Sequence, residues 1–347
     1  MPVDDSIPDS GSLPLNVLII GAGIAGLSAA IALGKQGHHV VILEKSRFAK
    51  ETGAAIHMPP NCTALLNWMD IDPRDFGGTL LHENIWRLIL TGVGCKRSAD
   101  IVHRVDLHNH LKKQALKTAT LHTACKIFSI NIDERRVILE DGLPSDRLRE
   151  IDSTNDAIRN PGVFVEWASG DRRLVAYPCT NDTIYNLCAF VPSAEAGVKA
   201  DAGWQASGSK QALIEAFSTF SDGVQEMINQ ADDNLKVWEL HDMEALPIWT
   251  KDRAALLGDA AHPFQPYMGQ GGAMAIEDAV SIATLLPLGT SVGEIASRLR
   301  LYETARRARV ELVLDYTRLN GRDETDAATG GARISPVIAD HCSSFAA

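Results

Sequence analysis

Residues 15–44 constrain the fold most. A short apolar run, Asn16–Ile20, meets Gly21-Ala22-Gly23-Ile24-Ala25-Gly26, and a second apolar run, Leu27–Gln36, follows. The first run suits a buried strand. The second has the length and pattern of a helix that stops at Gly37, and His38–Glu44 reads as another strand. Strand, helix and strand in that order make a parallel β-α-β unit. The glycines fit G-x-G-x-x-G. The first permits the tight turn, the second lets a pyrophosphate approach the backbone, and the third lets the helix pack closely on the sheet. A helix start there directs free amides and a positive dipole end at phosphate. Glu44 follows Gly26 by 18 residues, where a carboxylate accepts hydrogen bonds from a ribose and repels a 2′-phosphate. A purely structural glycine turn is the plainer alternative. The fingerprint calls for a dinucleotide without choosing between FAD and NAD.

Composition narrows the classes. The 347 residues suffice for one large domain or two joined ones, and the net charge of −11 argues against a phosphate-neutralising nucleic-acid surface. Six cysteines with no C-x-x-C pair suggest neither a disulfide framework nor a zinc site. Leu15–Leu33 is apolar, but three glycines interrupt it and the acidic Met1–Ser12 is unlike a secretory leader. No other run approaches the roughly 18 apolar residues of a span. The expectation is a reduced, cytoplasmic protein with no metal, no membrane and no nucleic-acid partner.

Further along, Val105–Thr118 is helical in pattern and Lys126–Ile132 with Arg135–Glu140 reads as a hairpin. Leu143–Pro161 is polar and irregular. Val163–Trp167, Arg173–Tyr177 and Ile184–Phe190 read as strands of a second sheet, and Lys210–Thr219 and Val224–Gln230 as helices. Arg253–Leu257 reads as a strand running into Gly258–Asp259. Gln270–Leu286 and Val292–Leu319 read as helices, and the tail from Arg322 is polar. The stretch Gly258-Asp259-Ala260-Ala261-His262-Pro263, followed by Pro266-Tyr267-Met268-Gly269-Gln270-Gly271-Gly272, combines a sharp turn with a backbone-exposing loop that opens a helix. A helix start of that kind stabilises negative charge.

With these blocks on the page, the chain resembles the FAD-dependent aromatic hydroxylases of the para-hydroxybenzoate and salicylate hydroxylase type, with fungal members nearest in character. The resemblance rests on Gly21–Gly26 with Glu44, on Gly53-Ala54-Ala55-Ile56 with Pro60-Asn61, on His103–Leu107, and above all on Gly258–Asp278. It implies an α/β fold: a Rossmann-like FAD-binding domain with an inserted mixed or antiparallel-sheet substrate domain. The expected division is a lead-in at 1–14, FAD-binding parts at 15–142 and 251–320, a shortened substrate domain at 143–250, and a tail at 321–347. It further implies that Gly21, Gly23, Gly26, Glu44, Gly53, Ala55, Arg104, Asp259, Pro266, Gly271 and Gly272 hold FAD. Glu44 would hold the adenosine ribose, Arg104 the linker or phosphates, and Asp259 the ribityl chain or pyrophosphate. A surface arginine and a helix N-cap are the plain alternatives for Arg104 and Asp259. His262 belongs to the loop and is not taken as a base. Tyr177 is the candidate for orienting a phenolic substrate, with a packed aromatic as its alternative. Trp167, Trp204 and Trp249 are assigned to the core.

The chemistry implied is hydroxylation of an electron-rich aromatic molecule with NADH or NADPH and O2, through a C4a-hydroperoxyflavin. A homodimer is the candidate assembly. One family block does not match. The strand ending in Asp-Gly before Ser and Arg has no counterpart in Leu143–Asn160, the interval from Trp86 to His103 looks shortened, and Asp141–Gly142 is a hairpin-type turn. Losing an internal strand would leave unpaired edges. A non-catalytic flavin-binding protein and another FAD oxidoreductase, an oxidase or dehydrogenase, are the alternatives.

Overall fold

The computed structural model describes residues 13–46, 55–81, 83–85, 99–131, 136–140, 163–169, 172–179, 184–192, 206–207, 209–231, 235–237, 240 and 242–320. The polar 143–160 stretch, Gly53, Trp204, all but the last two residues of the lead-in, and the tail from residue 321 lie outside them.

The opening unit is as expected. Strand β1 (Asn16–Ile20) leads into α1 (Ile24–Lys35), which returns to β2 (His39–Leu43). β1 and β2 pair in parallel with Asn16 opposite His39 and Ile20 opposite Leu43. Helix α1 starts at Ile24 rather than Leu27, so Gly26 lies inside its first turn. Every residue from Gly26 to Leu33 is buried. A helix apolar all round must be covered on more than one side, and here later parts of the chain cover it.

Residues 55–103, which carry no clear period, form β3 (Ala55–Met58), α2 (Pro60–Trp68), β4 (Thr79–Leu81), β5 (Glu83–Ile85) and β6 (Ala99–His103). Strands β3, β6 and β4 form one antiparallel sheet. Helix α3 (Arg104–Ala115) follows, then β7 (Ala119–His122), which pairs in parallel with β2. The order β1-β2-β7 thus builds the parallel sheet. The expected hairpin is β8 (Lys126–Asn131) with β9 (Arg136–Glu140), irregular between Ile127 and Ser129.

The second sheet is formed by β10 (Val163–Ser169), β11 (Arg172–Cys179) and β12 (Ile184–Phe190), antiparallel to one another. Its fourth strand is β5, from much earlier in the chain, parallel to β10. Two-residue strands β13 (Ala206–Ser207) and β14 (Lys236–Val237) flank α4 (Lys210–Ala216) and α5 (Asp222–Gln230). Leu174 of β11 packs with Phe217, Val224, Met227 and Ile228 in a small core of its own.

One expectation needs correcting. Arg253–Leu257 is not a strand along its whole length. Only Ala254–Ala255 (β16) pairs, with Thr250–Lys251 (β15), in a short antiparallel pair. Leu256 is tied instead by single bonds, its N–H to Trp249 O at 2.8 Å and Tyr302 O–H to its carbonyl at 2.9 Å. Among the described residues β1 pairs only with β2, and its Leu18 and Ile20 stay 46% and 47% exposed. Apolar side chains so open on a strand of a parallel sheet are unusual, because such sheets are covered on both faces.

Helices α6 (Gly271–Leu285) and α7 (Ile295–Asn320) complete the main core. α6 packs along α1, so the two ends of the sequence meet there. His38 secures the join. Its Nε2 donates to Leu286 O at 2.6 Å, so its Nδ1 accepts from the Leu15 N–H at 3.1 Å. No described helix is long and apolar enough to cross a membrane.

Candidate functional site

At the glycine turn, Gly21 has φ +94° and donates its N–H to Leu43 O at 2.8 Å. A Cβ on Gly26 would sit 2.0 Å from Gly21 O, a separation no side chain can occupy. A Cβ on Gly21 or Gly23 would meet nothing within 4 Å, so the front of the turn is open. Gly23 caps α1 without a side chain, and the first turn of α1 has no acid. The amides there are therefore free for an anion. Glu44 lies one residue beyond β2. It is buried, and its carboxylate accepts from the Ala22 N–H at 2.7 Å and the Ser46 N–H at 2.6 Å. It therefore braces the turn, and each oxygen keeps a lone pair for a further donor. His108 of α3 braces the other side, with Nε2 donating to Ala22 O at 2.6 Å.

The second turn lodges against the first. Gly258 has φ +58°, and a Cβ there would lie 2.8 Å from Ala25 Cβ of α1 and 3.3 Å from Ala275 Cβ of α6. Only glycine suits both the backbone and the space. The turn is held from behind by Asp278, which is fully buried on α6. Its Oδ2 accepts from the Gly258 N–H at 2.9 Å and from His262 Nε2 at 2.6 Å, and its Oδ1 from Arg306 Nε at 2.8 Å. Neighbouring Glu277 accepts from Asn61 Nδ2 at 2.8 Å, Arg306 Nη1 at 2.6 Å, and Arg309 Nε and Nη2 at 2.7 Å. Burial desolvates both carboxyls, but their partners outweigh it and hold both below the usual carboxylate range. Glu277 and Asp278 are thus ionised struts joining α2, α6 and α7. His262 is buried, bonded to Asp278, and 5.0 Å between ring centroids from the core residue Trp249. That arrangement suits a loop anchor rather than a free base. Trp249 is in the core as expected; the Trp167 side chain is outside the described parts.

Asp259 follows Gly258 at the open side. Partial desolvation raises its carboxyl, against the pull of His262 and Arg104. Arg104 is the first residue of α3 and is exposed. A cation at a helix start is disfavoured by the dipole, so helix stability does not account for it; Asp106 supplies the favourable first-turn charge. Ala55 pairs with His103 immediately before Arg104. Sequence-distant Ala55, Arg104 and Asp259 thereby converge.

The loop into α6 completes the site. Pro266–Met268 form a 3-10 turn that ends at Gly269, φ +60°. Gln270 caps α6 without a side-chain bond, its buried Oε1 has no hydrogen-bond partner, and the first turn of α6 has no acid. A Cβ on Gly271 would lie 3.3 Å from Phe264 Cβ, and one on Gly272 2.7 Å from Ile56 Cδ1. The second sheet reaches the loop at Tyr267, whose ring lies 5.5 Å from that of Phe190 and 5.8 Å from the Arg173 guanidinium. Tyr177 is on β11 opposite Asn186, an even number of residues from Arg173; its side chain is outside the described parts.

Two open, acid-free helix starts, α1 and α6, therefore flank the Gly258–Asp259 turn. These residues fit an elongated ligand with phosphate at one end and a charge-accepting ring at the other. Sequence reasoning missed the Glu277–Asp278–Arg306 network and His57. The acids stood inside the quoted Gly258–Asp278 block, but nothing local pointed to an arginine 28 residues on. Among the described residues no group of His, Cys, Asp and Glu could hold a metal ion.

Comparison with known proteins agrees with this geometry. An FAD binding domain family matches residues 199–317, and an FAD dependent oxidoreductase family matches residues 16–58. Hispidin-3-hydroxylase of Neonothopanus nambi is 29% identical, with 86% of each chain covered. 3-Hydroxybenzoate 6-hydroxylase 1 of Aquipseudomonas alcaligenes is 28% identical over 91% of each. The alignment with the former runs over 374 positions although this chain has only 347 residues in all, so tens of positions have no counterpart here. Klebsiella pneumoniae HpxO, solved with FAD and uric acid, shares the fold with a TM-score of 0.72 over 96% of each chain at 21% identity. By these matches the chain is similar to FAD-dependent monooxygenases of the aromatic-hydroxylase type.

Proposed function

We propose that this chain binds FAD and uses it, with NADH or NADPH and O2, to hydroxylate a small phenolic or other electron-rich aromatic molecule. The observation that carries the reading is the meeting of α1, α6 and the Gly258–Asp259 turn. It puts two open helix starts and one acid on a single crevice. Gly21, Gly23 and Gly26 would admit the pyrophosphate to the α1 amides. Glu44 would offer its remaining lone pairs to the adenosine ribose. Arg104 and Ala55 would flank the linker, and Asp259 would accept from its hydroxyls. Pro266 shapes the loop whose Gly271 and Gly272 amides would meet the ring. When bound, the cofactor supplies hydride acceptance from the nicotinamide and activation of dioxygen. The protein's own share is orientation, exclusion of water and placement of charge. Tyr177, on the sheet that meets the loop through Arg173 and Phe190, would orient the substrate hydroxyl. No side-chain nucleophile is required.

The test begins with colour. Purified full-length chain should show flavin absorbance, alone or after added FAD; a protein that stays colourless rejects the reading. Asp259→Ala should lower FAD retention about tenfold or more with thermal stability little changed. Unchanged retention would remove Asp259 from the site. Added phenols should stimulate NAD(P)H oxidation.

A second reading has a specific observation behind it. The edge of β1, unpaired among the described residues, with Leu18 and Ile20 exposed, and the absence from the sequence Leu143–Asn160 of the family's strand-Asp-Gly block favour a flavoprotein that holds FAD without hydroxylating. Flavin retention with no phenol-dependent turnover would select it.

A further inference from the structure

His57 stands out among the groups the proposed function does not use. It lies on β3, and the α6-entry loop touches it directly: a Cβ built on Gly269 would be 3.0 Å from His57 Cβ and 3.4 Å from its Nδ1. It is partly accessible, yet burial alone lowers its imidazole to about 4, and no charge or hydrogen bond from a described residue offsets that. The acids on neighbouring elements are otherwise engaged or turned elsewhere. On α6, Glu277 and Asp278 are bonded to Arg306, Arg309, Asn61 and His262. On β6, Asp100 lies opposite Met58, raised by burial and by Asp72, and His103 lies opposite Ala55. On α2, burial pushes the Cys62 thiol up, so it stays protonated. His57 is therefore a neutral base beside the loop where the helix dipole of α6 points.

We infer that His57 is a charge-compensating residue of the cofactor site, gaining a proton when negative charge arrives beside Gly269–Gly272. The inference rests on the FAD reading above. A hydride brings two electrons and one proton, so one negative charge remains on the ring system, and His57 takes one further proton from solvent. The size of the effect is adequate. A unit charge at contact distance multiplies an imidazole's affinity for a proton by roughly a thousand, which carries a group at about 4 to the neutral range. His57 is a positioning residue for charge and forms no bond to substrate in this scheme.

The test uses the FAD-loaded full chain and reads its midpoint potential by dye equilibration from about pH 5.5 to 8.5. Wild type should show a break, from a slope of two protons per two electrons at the acid end to one at the alkaline end. In His57→Gln the one-proton slope should extend throughout and the potential should be lower at acid pH. FAD dissociation constants, measured first, establish that the variant loads, and His57→Asn provides a second isostere. Proton uptake on photoreduction in weak buffer reads the same balance: two protons per two electrons at acid pH in wild type but one in His57→Gln support the inference, since protonation of the reduced ring itself would give two in both. A break shared by wild type and variants, or uptake of one proton at all pH values, overturns it. If wild type binds flavin but lacks the break, only the His57 inference falls. If it binds no flavin, the functional reading falls as well.

Discussion

The turn at Gly258 and the sheet around β11 both adjoin the loop that leads into α6, but they are held in different ways. Gly258–His262 is fixed by directional bonds from Asp278, which is itself locked by Arg306. β11 rests on a small apolar core around Leu174 and Phe217, and meets the loop through the Tyr267 ring. Directional bonds hold a backbone within tenths of an ångström before any ligand arrives, whereas apolar packing tolerates sliding and repacking. The proposed cofactor side is thus preorganised, and the proposed substrate side tolerates adjustment.

Four substitutions or conditions would break or sharpen this contrast. Gly26→Ala should have the largest effect, because its methyl has no room beside Gly21 O. A loss of about 3 kcal/mol or more is expected, with little folded flavoprotein recovered, as read by soluble yield and thermal unfolding. Asp278→Ala leaves His262 buried without its partner and Arg306 held by Glu277 alone. About 3–5 kcal/mol is expected, and denaturant titration should report it together with lost FAD affinity. Leu174→Ala should cost about 3 kcal/mol through the cavity it leaves while flavin retention stays near wild type. Equal loss of flavin in Leu174→Ala and Asp278→Ala would show that the two regions are not independent.

The smallest effect concerns pH. His57 binds its proton less readily when folded, at about 4 rather than its ordinary 6.5. The unfolded chain therefore takes up the proton first as pH falls. The stability tied to neutral His57 is present above 6.5 and is lost as pH drops from there towards 4. Between pH 7 and 5 this amounts to about 2 kcal/mol. His57→Gln should remove that portion of the acid destabilisation in matched unfolding curves, and identical pH dependence in both proteins would discount it.

The β-α-β unit, the sharp turn at Gly258 and the antiparallel trio β10–β12 could be read in advance because their signals are local. Glycine spacing, a period of two and a helix stop all act over a few residues. The 55–103 stretch could not, since its short strands have no clear period and β5 joins a sheet whose other members come 80 residues later. Arg253–Leu257 was misjudged for the converse reason. Its residues have strand character, but only Ala254–Ala255 find a pairing partner. Glu44 follows directly on β2, close to where its spacing puts it, yet its bonds to Ala22 and Ser46 depend on how the turn folds back.

By itself, the sequence determined where the backbone must be glycine and where a phosphate could approach it. Those demands are local: Gly21 and Gly258 take positive φ, and Gly26 sits one turn from Gly21 O. Only the tertiary structure decided which polar groups are engaged and which are available. Asp278 is a strut because Arg306 reaches it from α7, and His57 is neutral because other segments bury it without supplying a charge. Desolvation and ion pairing depend on neighbours in space, and those neighbours are scattered along the chain.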